Sequence, residues 1–199
     1  SNLGVCYVCR VHDVPASTGY GDPVQKLFKL GDGERMIALL SFDPRVLDVP
    51  APTEVAPEPE PPYALAVTRG GLGFRFSLRP HREPSTRAGR KYAKLNDGDE
   101  VLAVMPIGIS DSVLCASSDG HALGVRMEDI AIVASTAKGS MLMKIEEGER
   151  LIGATLALGE EDTLTVETEK GATRVLPAGK IMGARASRGR PSDFKRDRF

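Results

Sequence analysis

The side chains best equipped for chemistry are the arginines and lysines, because they fall in two dense runs. Residues 69–94 hold eight of them against the single acid Glu83, and residues 174–198 hold eight against two acids. Between these runs, residues 146–169 reverse the sign, with eight acids against Arg150 alone. A solvated mixed surface would intersperse the two charges more evenly. A run of cations can neutralise the phosphates of a polyanion without reading its sequence, since that attraction depends on charge and counterion release. The formal net charge of −1 does not oppose this, because a chain acidic overall can still present a basic track.

Other reactive residues are sparse. Cys6-Tyr7-Val8-Cys9 has C-x-x-C spacing, but Cys115 has no Cys or His beside it to complete a zinc site. A redox pair belongs at a helix N-terminus, whereas residues 5–11 read as a strand, in which positions three apart face opposite sides. The expectation is two strand cysteines, and an odd total of three points to a reducing compartment. His12, His81 and His121 lie in different repeats with no Ser-His-Asp spacing around them, which favours structural or phosphate-facing roles over hydrolysis. No run approaches the roughly eighteen apolar residues of a membrane span, and no leader is visible, so the expected compartment is the cytoplasm.

The elements that must carry these cations come from a repeat. A small polar residue and Gly open each unit: Ser1-Asn2-Leu3-Gly4, Thr68-Arg69-Gly70-Gly71, Ser117-Ser118-Asp119-Gly120 and Thr168-Glu169-Lys170-Gly171. A Leu/Ile-x-x-Gly-Asp/Glu phrase closes it, as in Leu30 to Glu34, Leu95 to Asp99 and Ile145 to Glu149. Gly71 and Gly120 are 49 residues apart and Gly120 and Gly171 are 51, a period that points to a propeller or array of one repeated unit. Short β-type runs at 5–11, 63–67, 101–104 and 163–166 sit between Gly, Pro or Asp, and only residues 127–130 suggest a helical turn. The spacing predicts one domain over 1–199, with repeats at about 1–42, 63–107, 111–156 and 162–199. Residues 43–62 hold seven prolines with Glu54, Glu58 and Glu60, and read as an exposed, extended insertion or a docking segment for another protein.

With repeat, strands and basic loops assembled, the chain resembles the C-terminal domain of the A subunit of bacterial type IIA topoisomerases, DNA gyrase and topoisomerase IV. The first unit carries the resemblance through Gly4, Tyr7, Val11, Pro15, Gly21, Pro23, Leu27, Leu30, Gly33 and Glu34. In the second it runs through Thr68, Gly71, Arg75, Leu78, Ala88-Gly89, Lys94-Leu95 and Gly98-Asp99-Glu100. In the third it rests on Gly120, Glu128-Asp129, Thr136-Ala137, Gly139 and Lys144, and in the fourth on Leu164-Thr165-Val166, Thr168, Gly171, Arg174 and Arg185. No single motif is specific; four in series are.

The resemblance implies an all-β fold, a β-pinwheel of about four propeller-like blades of four strands each, with strands exchanged between neighbours. It implies a non-catalytic domain whose basic rim binds, bends and wraps double-stranded DNA for strand passage in a bacterial, nucleoid-associated enzyme. The partners implied are the rest of the A chain of that enzyme and, through it, the ATPase B chain. ATP and Mg2+ would serve the holoenzyme, and this domain itself would take no cofactor and no metal. By position in the family phrase, Arg75 and Arg174 follow the turn Gly, and Arg87 and Arg185 occupy the basic loop. Arg90, Lys91, Arg188 and Arg190 add charge to those loops, and Lys138 is the main cation left in the third unit.

Departures matter too. The first unit's loop, residues 17–22, has no cation, and Gly124, Ser135 and Met141 stand where arginines are usual. The gyrase box of the Gln-Arg-Arg-Gly-Gly-Lys-Gly type does not occur; its usual place is a first blade, and this chain reads as starting inside a later one. A β-propeller scaffold for protein partners is the competing reading, favoured by the pI near 6.3, the acidic segment and the proline-rich insertion.

Overall fold

A computed structural model describes residues 1–51, 59–192 and 198–199. Residues 52–58 of the proline-rich insertion, with Glu54 and Glu58, and Lys195 and Arg196 of the second basic run lie outside them. The described chain is all-β, with one short helix, α1 (Ala178–Ile181), and a few 3-10 turns.

Three hairpins form the frame: β2 (Tyr63–Thr68) with β3 (Leu72–Ser77), β6 (Ser112–Ser117) with β7 (His121–Arg126), and β11 (Thr163–Glu167) with β12 (Thr173–Pro177). Each is antiparallel and in regular register, such as Leu65 opposite Arg75 and Cys115 opposite Leu123. A third strand follows in each middle repeat: β5 (Val101–Ile107) pairs with β2, and β10 (Leu151–Ala157) pairs with β6.

The strands β2 and β6 are buried almost throughout, because they pack on both faces. Period-two alternation divides their side chains between two cores. Leu65 and Val67 join Val113, Cys115, Leu123 and Val125 in one, while Ala64 and Ala66 join Phe74, Phe76 and Tyr92 in another. Leu114 and Ala116 turn the other way, onto Leu164, Val166 and Leu176 of the last hairpin. Each sheet is thus sandwiched between its neighbours, and the cores lie between sheets. At about 1.5–3 kcal/mol for each fully buried large aliphatic side chain, these seams are what holds the sheets face to face.

Short strands then cross from one repeat to the next. β4 (Arg90–Lys91) pairs with β1 (Val5–Cys6), β9 (Ser140–Met141) with β3, and β13 (Arg190–Pro191) with β7. The exchanged strands begin at residues 90, 140 and 190, fifty apart. The turn carbonyls anchor them: Gly4 O accepts from Tyr92 and Ala93 N, Gly71 O from Leu142 and Met143 N, and Gly120 O from Ser192 N.

Several expectations need correction. The strand expected over 5–11 is only Val5–Cys6, followed by a 3-10 turn at Val11–Asp13; β1 finds two residues of β4 to pair with, so the ladder ends there. Cys6 lies in β1, whereas Cys9 is exposed beyond it. Blades are not uniformly four-stranded. The third sheet is (β10-β6-β7-β13), the second gains β8 (Ile132–Val133) to become five-stranded, and the first and last are two-stranded pairs. The first repeat has no strand where β2 and β6 stand, so residues 36–42, which match β5 and β10 in position, form no strand and Leu39 is 98% exposed. The insertion is held at both ends: Val49 is buried beside Phe76 and Tyr92, and Arg79 bonds Pro61 O at 2.7 Å and Ala51 O at 3.3 Å. The turn expected at 127–130 is a 3-10 turn, Met127–Asp129.

Candidate nucleic-acid interface

The positions singled out from sequence divide by what their charged ends touch. Arg75, half-buried on β3, donates from Nε to Ile130 O at 2.7 Å and so links two repeats. Arg90 spreads its guanidinium over Pro80 O at 3.1 Å, Glu83 O at 2.8 Å and Pro84 O at 2.7 Å, closing the loop it belongs to. Arg185 donates to Met141 O at 2.7 Å across a repeat boundary. Arg87 is exposed and reaches Lys26 O at 3.2 Å and Gln25 O at 3.4 Å. Arg174 bonds its neighbour's carbonyl, Thr173 O, at 3.5 Å. The planar five-donor fork suits arginine to carbonyl clusters. Such a side chain keeps its full charge but cannot swing to a new partner without giving up those bonds.

Arg188 differs, for its bonds are to acids. It meets Asp119 at 2.8 Å and Glu146 at 3.9 Å. Partial burial alone would raise the Asp119 carboxyl, but hydrogen bonds from Ser117 and Arg188, with His121 at 3.1 Å, hold it down to about 2. Arg198 is likewise bound, to Glu149 at 2.8 Å and Glu169 at 3.5 Å. A second acid knot sits at Glu100, bonded by Arg35 at 2.7 Å, Asn2 at 3.0 Å and Arg69 at 2.5 Å, and these partners depress its carboxyl to about 2. Sequence order hides both knots, because Arg35 and Glu100, like Asp119 and Arg188, belong to different repeats. The only prior signal is that these acids fall at the turn phrases.

Lys91, Lys138 and Arg190 are exposed. Lys91 and Arg190 lie on the exchanged strands β4 and β13, and Lys138 lies just before β9, its Nζ on Asn96 Oδ1 at 2.7 Å. Thus Arg87, Lys138 and Arg188 come to the same place in three successive repeats, the loop that leads into the exchanged strand. Residues 29, 94 and 144 were not among the expected sites, yet all are exposed lysines in matching positions. Their repeated Lys-Leu/Ile dipeptide before each Gly-Asp/Glu ending was the legible signal.

The remaining reactive groups are structural. His81 is buried against the edge of Phe76, 5.7 Å between centroids, and burial lowers its pKa. The buried Cys115 thiol is pushed up to about 12. Among the described residues no three His, Cys, Asp or Glu side chains gather as a metal site, and no helix is long and apolar enough to cross a membrane.

Comparison with known proteins gives a consistent result. Residues 62–107 and 111–157 each match the family described as DNA gyrase C-terminal domain, beta-propeller. The DNA gyrase A protein of Borrelia hermsii is 26% identical over 183 residues, which is 91% of this chain and 21% of that protein. The DNA topoisomerase 4 A protein of Streptococcus pneumoniae is 32% identical over 129 residues, 63% of this chain and 15% of that protein. The chain therefore spans about a fifth or less of the length of these relatives. In fold it superposes on the C-terminal domain of a DNA topoisomerase IV, with TM-score 0.80 and 20% identity over 99% of this chain and 59% of the other. It also superposes on a DNA gyrase A C-terminal domain, with TM-score 0.70 and 23% identity over 98% of this chain and 60% of the other. Through its two central repeats, and with relatives aligned across most of its length, the chain belongs to the β-propeller family of DNA gyrase C-terminal domains.

Proposed function

We propose that this chain binds double-stranded DNA along its cationic loops and bends or wraps it, as the C-terminal part of the A chain of a type IIA topoisomerase. In that reading it performs no chemistry itself and presents a DNA segment for strand passage elsewhere in the enzyme. ATP and Mg2+ act in other parts of the assembly. Its protein partners are the rest of the A chain and the ATPase B chain, and the bacterial cytoplasm is its place of work. Arg75, Arg87, Arg90, Lys91, Lys138, Arg174, Arg185, Arg188 and Arg190 supply the positive field.

The observation that carries this reading is the recurrence of Arg87, Lys138 and Arg188 at one loop position in three successive repeats, each ahead of an exchanged strand. Repeated cations on a rigid curved array suit phosphate contact without base reading. The affinity gained in this way can offset the few kcal/mol needed to bend a short duplex.

Binding of the chain to a labelled linear duplex, measured across a salt series, tests it. The expected log–log plot falls with a slope of about −0.9 per phosphate neutralised. No binding at low salt would overturn the reading in favour of a scaffold for protein partners.

A further inference from the structure

We infer that the strongest phosphate contact lies at the seam between the second and third repeats, made by Lys94 with Lys91 and Lys138, and that Lys29 repeats the role of Lys94 one seam earlier. This rests on the DNA-binding reading above and adds to it which residues act and in what order.

Three equivalent backbone bonds create the seams. Lys29 N donates to Arg87 O at 2.7 Å, Lys94 N to Ala137 O at 2.9 Å, and Lys144 N to Ser187 O at 2.9 Å. Each bond fixes a lysine Cα against the cationic loop of the following repeat while its side chain stays exposed. A mobile cation on a fixed root therefore stands at every seam, beside Arg87 at the first, Lys138 at the second and Arg188 at the third.

Their surroundings rank them. At the third seam Lys144 has Glu146 at 3.8 Å, and Arg188 is occupied by Asp119 and Glu146, so the positive charge is largely answered within the protein. At the second seam none of Lys91, Lys94 and Lys138 is in an ion pair among the described residues, and Asp97, three residues beyond Lys94, forms none with it. Thr136 Oγ1 donates to Lys91 O at 3.1 Å and Ala93 bridges Ala137, which holds the three lysines on adjoining backbone. At the first seam Lys29 stands beside Arg87, which bonds only carbonyls, while Lys26 is paired with Asp22 at 2.6 Å. Like charges gathered without counterions repel one another, and a polyanion relieves that repulsion where it is greatest. Arg75, Arg90 and Arg185, by contrast, already hold carbonyls that tie the repeats together.

The test uses the full chain and fluorescence anisotropy on a labelled linear duplex across a NaCl series, with Lys94→Ala, Lys29→Ala and Lys144→Ala. Lys94→Ala is expected to flatten the log–log slope by about 0.9, with Lys144→Ala giving the smallest change of the three. Lys94→Arg restores the slope, and thermal melting verifies that each variant is folded. If Lys94→Ala leaves the slope unchanged, or Lys144→Ala matches it, while the unaltered chain binds, the seam ranking is wrong and the DNA-binding reading stands. If the unaltered chain fails to bind at low salt, both fall.

Discussion

Arg90 holds three main-chain carbonyls of its own loop, so its first duty is to keep residues 80–90 in shape. Replacing it with alanine strands acceptors that are partly withdrawn from water, and should destabilise the fold by about 1–3 kcal/mol, read as a lower urea midpoint. An unchanged midpoint would mean these bonds are incidental. The acid knots make a second prediction at this scale. The carboxyls of Glu100 and Asp119 sit at about 2 in the folded chain against ordinary values of 4.5 and 3.8. A folded pKa below the unfolded one means that protons bind preferentially to the unfolded chain. The stabilisation is therefore complete above the ordinary values and is lost as pH falls through about 2. Urea unfolding at stepped pH should show stability declining from about pH 4.5 downward, and Glu100→Gln should shrink that decline. A profile identical in the variant would remove Glu100 from the account. These residues also show what a linear reading misses. A basic run is visible in sequence, but whether a given arginine faces a carbonyl, an acid or solvent depends on which other repeat comes alongside.

At the scale of elements, the fifty-residue period is above all a period of strand exchange. Gly189 has a φ of 81° and a Cβ there would stand 2.4 Å from Ala122 O, on the strand that β13 joins. Gly98 has a similar φ of 75° but open space around it. Both pay the left-handed strain on changing to alanine, about 1–2 kcal/mol, and only Gly189 adds a clash with fixed backbone. Gly189→Ala should therefore lower the unfolding free energy by more than about 3 kcal/mol, and Gly98→Ala by about 1. Equal losses would show that the exchanged strand is not held as tightly as its contacts imply. The turn glycines and hairpins of the middle repeats were legible because alternation and Gly placement are local. The two-residue strands were not, since nothing in Ser140-Met141 or Arg190-Pro191 favours a strand until another repeat offers an edge. Conversely, residues 5–11 look like a strand and mostly are not, because no sufficient edge reaches them.

Across the whole molecule, the three cores lie between sheets, so each repeat depends on its neighbours for burial. That arrangement carries the charge pattern as well, since every seam brings a lysine of one repeat to the cationic loop of the next. The salt-dependence experiments belong to this level, for the expected slope counts cations acting together along the array. The sequence by itself determined the repeat, the all-β character, the family and the excess of positive charge in two runs, because periodicity, turn residues and composition are properties of the chain in order. Only the tertiary structure decided which of those charges remain open. Arg90 and Arg188 are engaged, while Lys94, Lys91 and Lys138 stand together without acids among the described residues. The physical reason is that the partner of a side chain is chosen by packing between repeats some fifty residues apart, and no local pattern records which face of one sheet will meet which loop of the next.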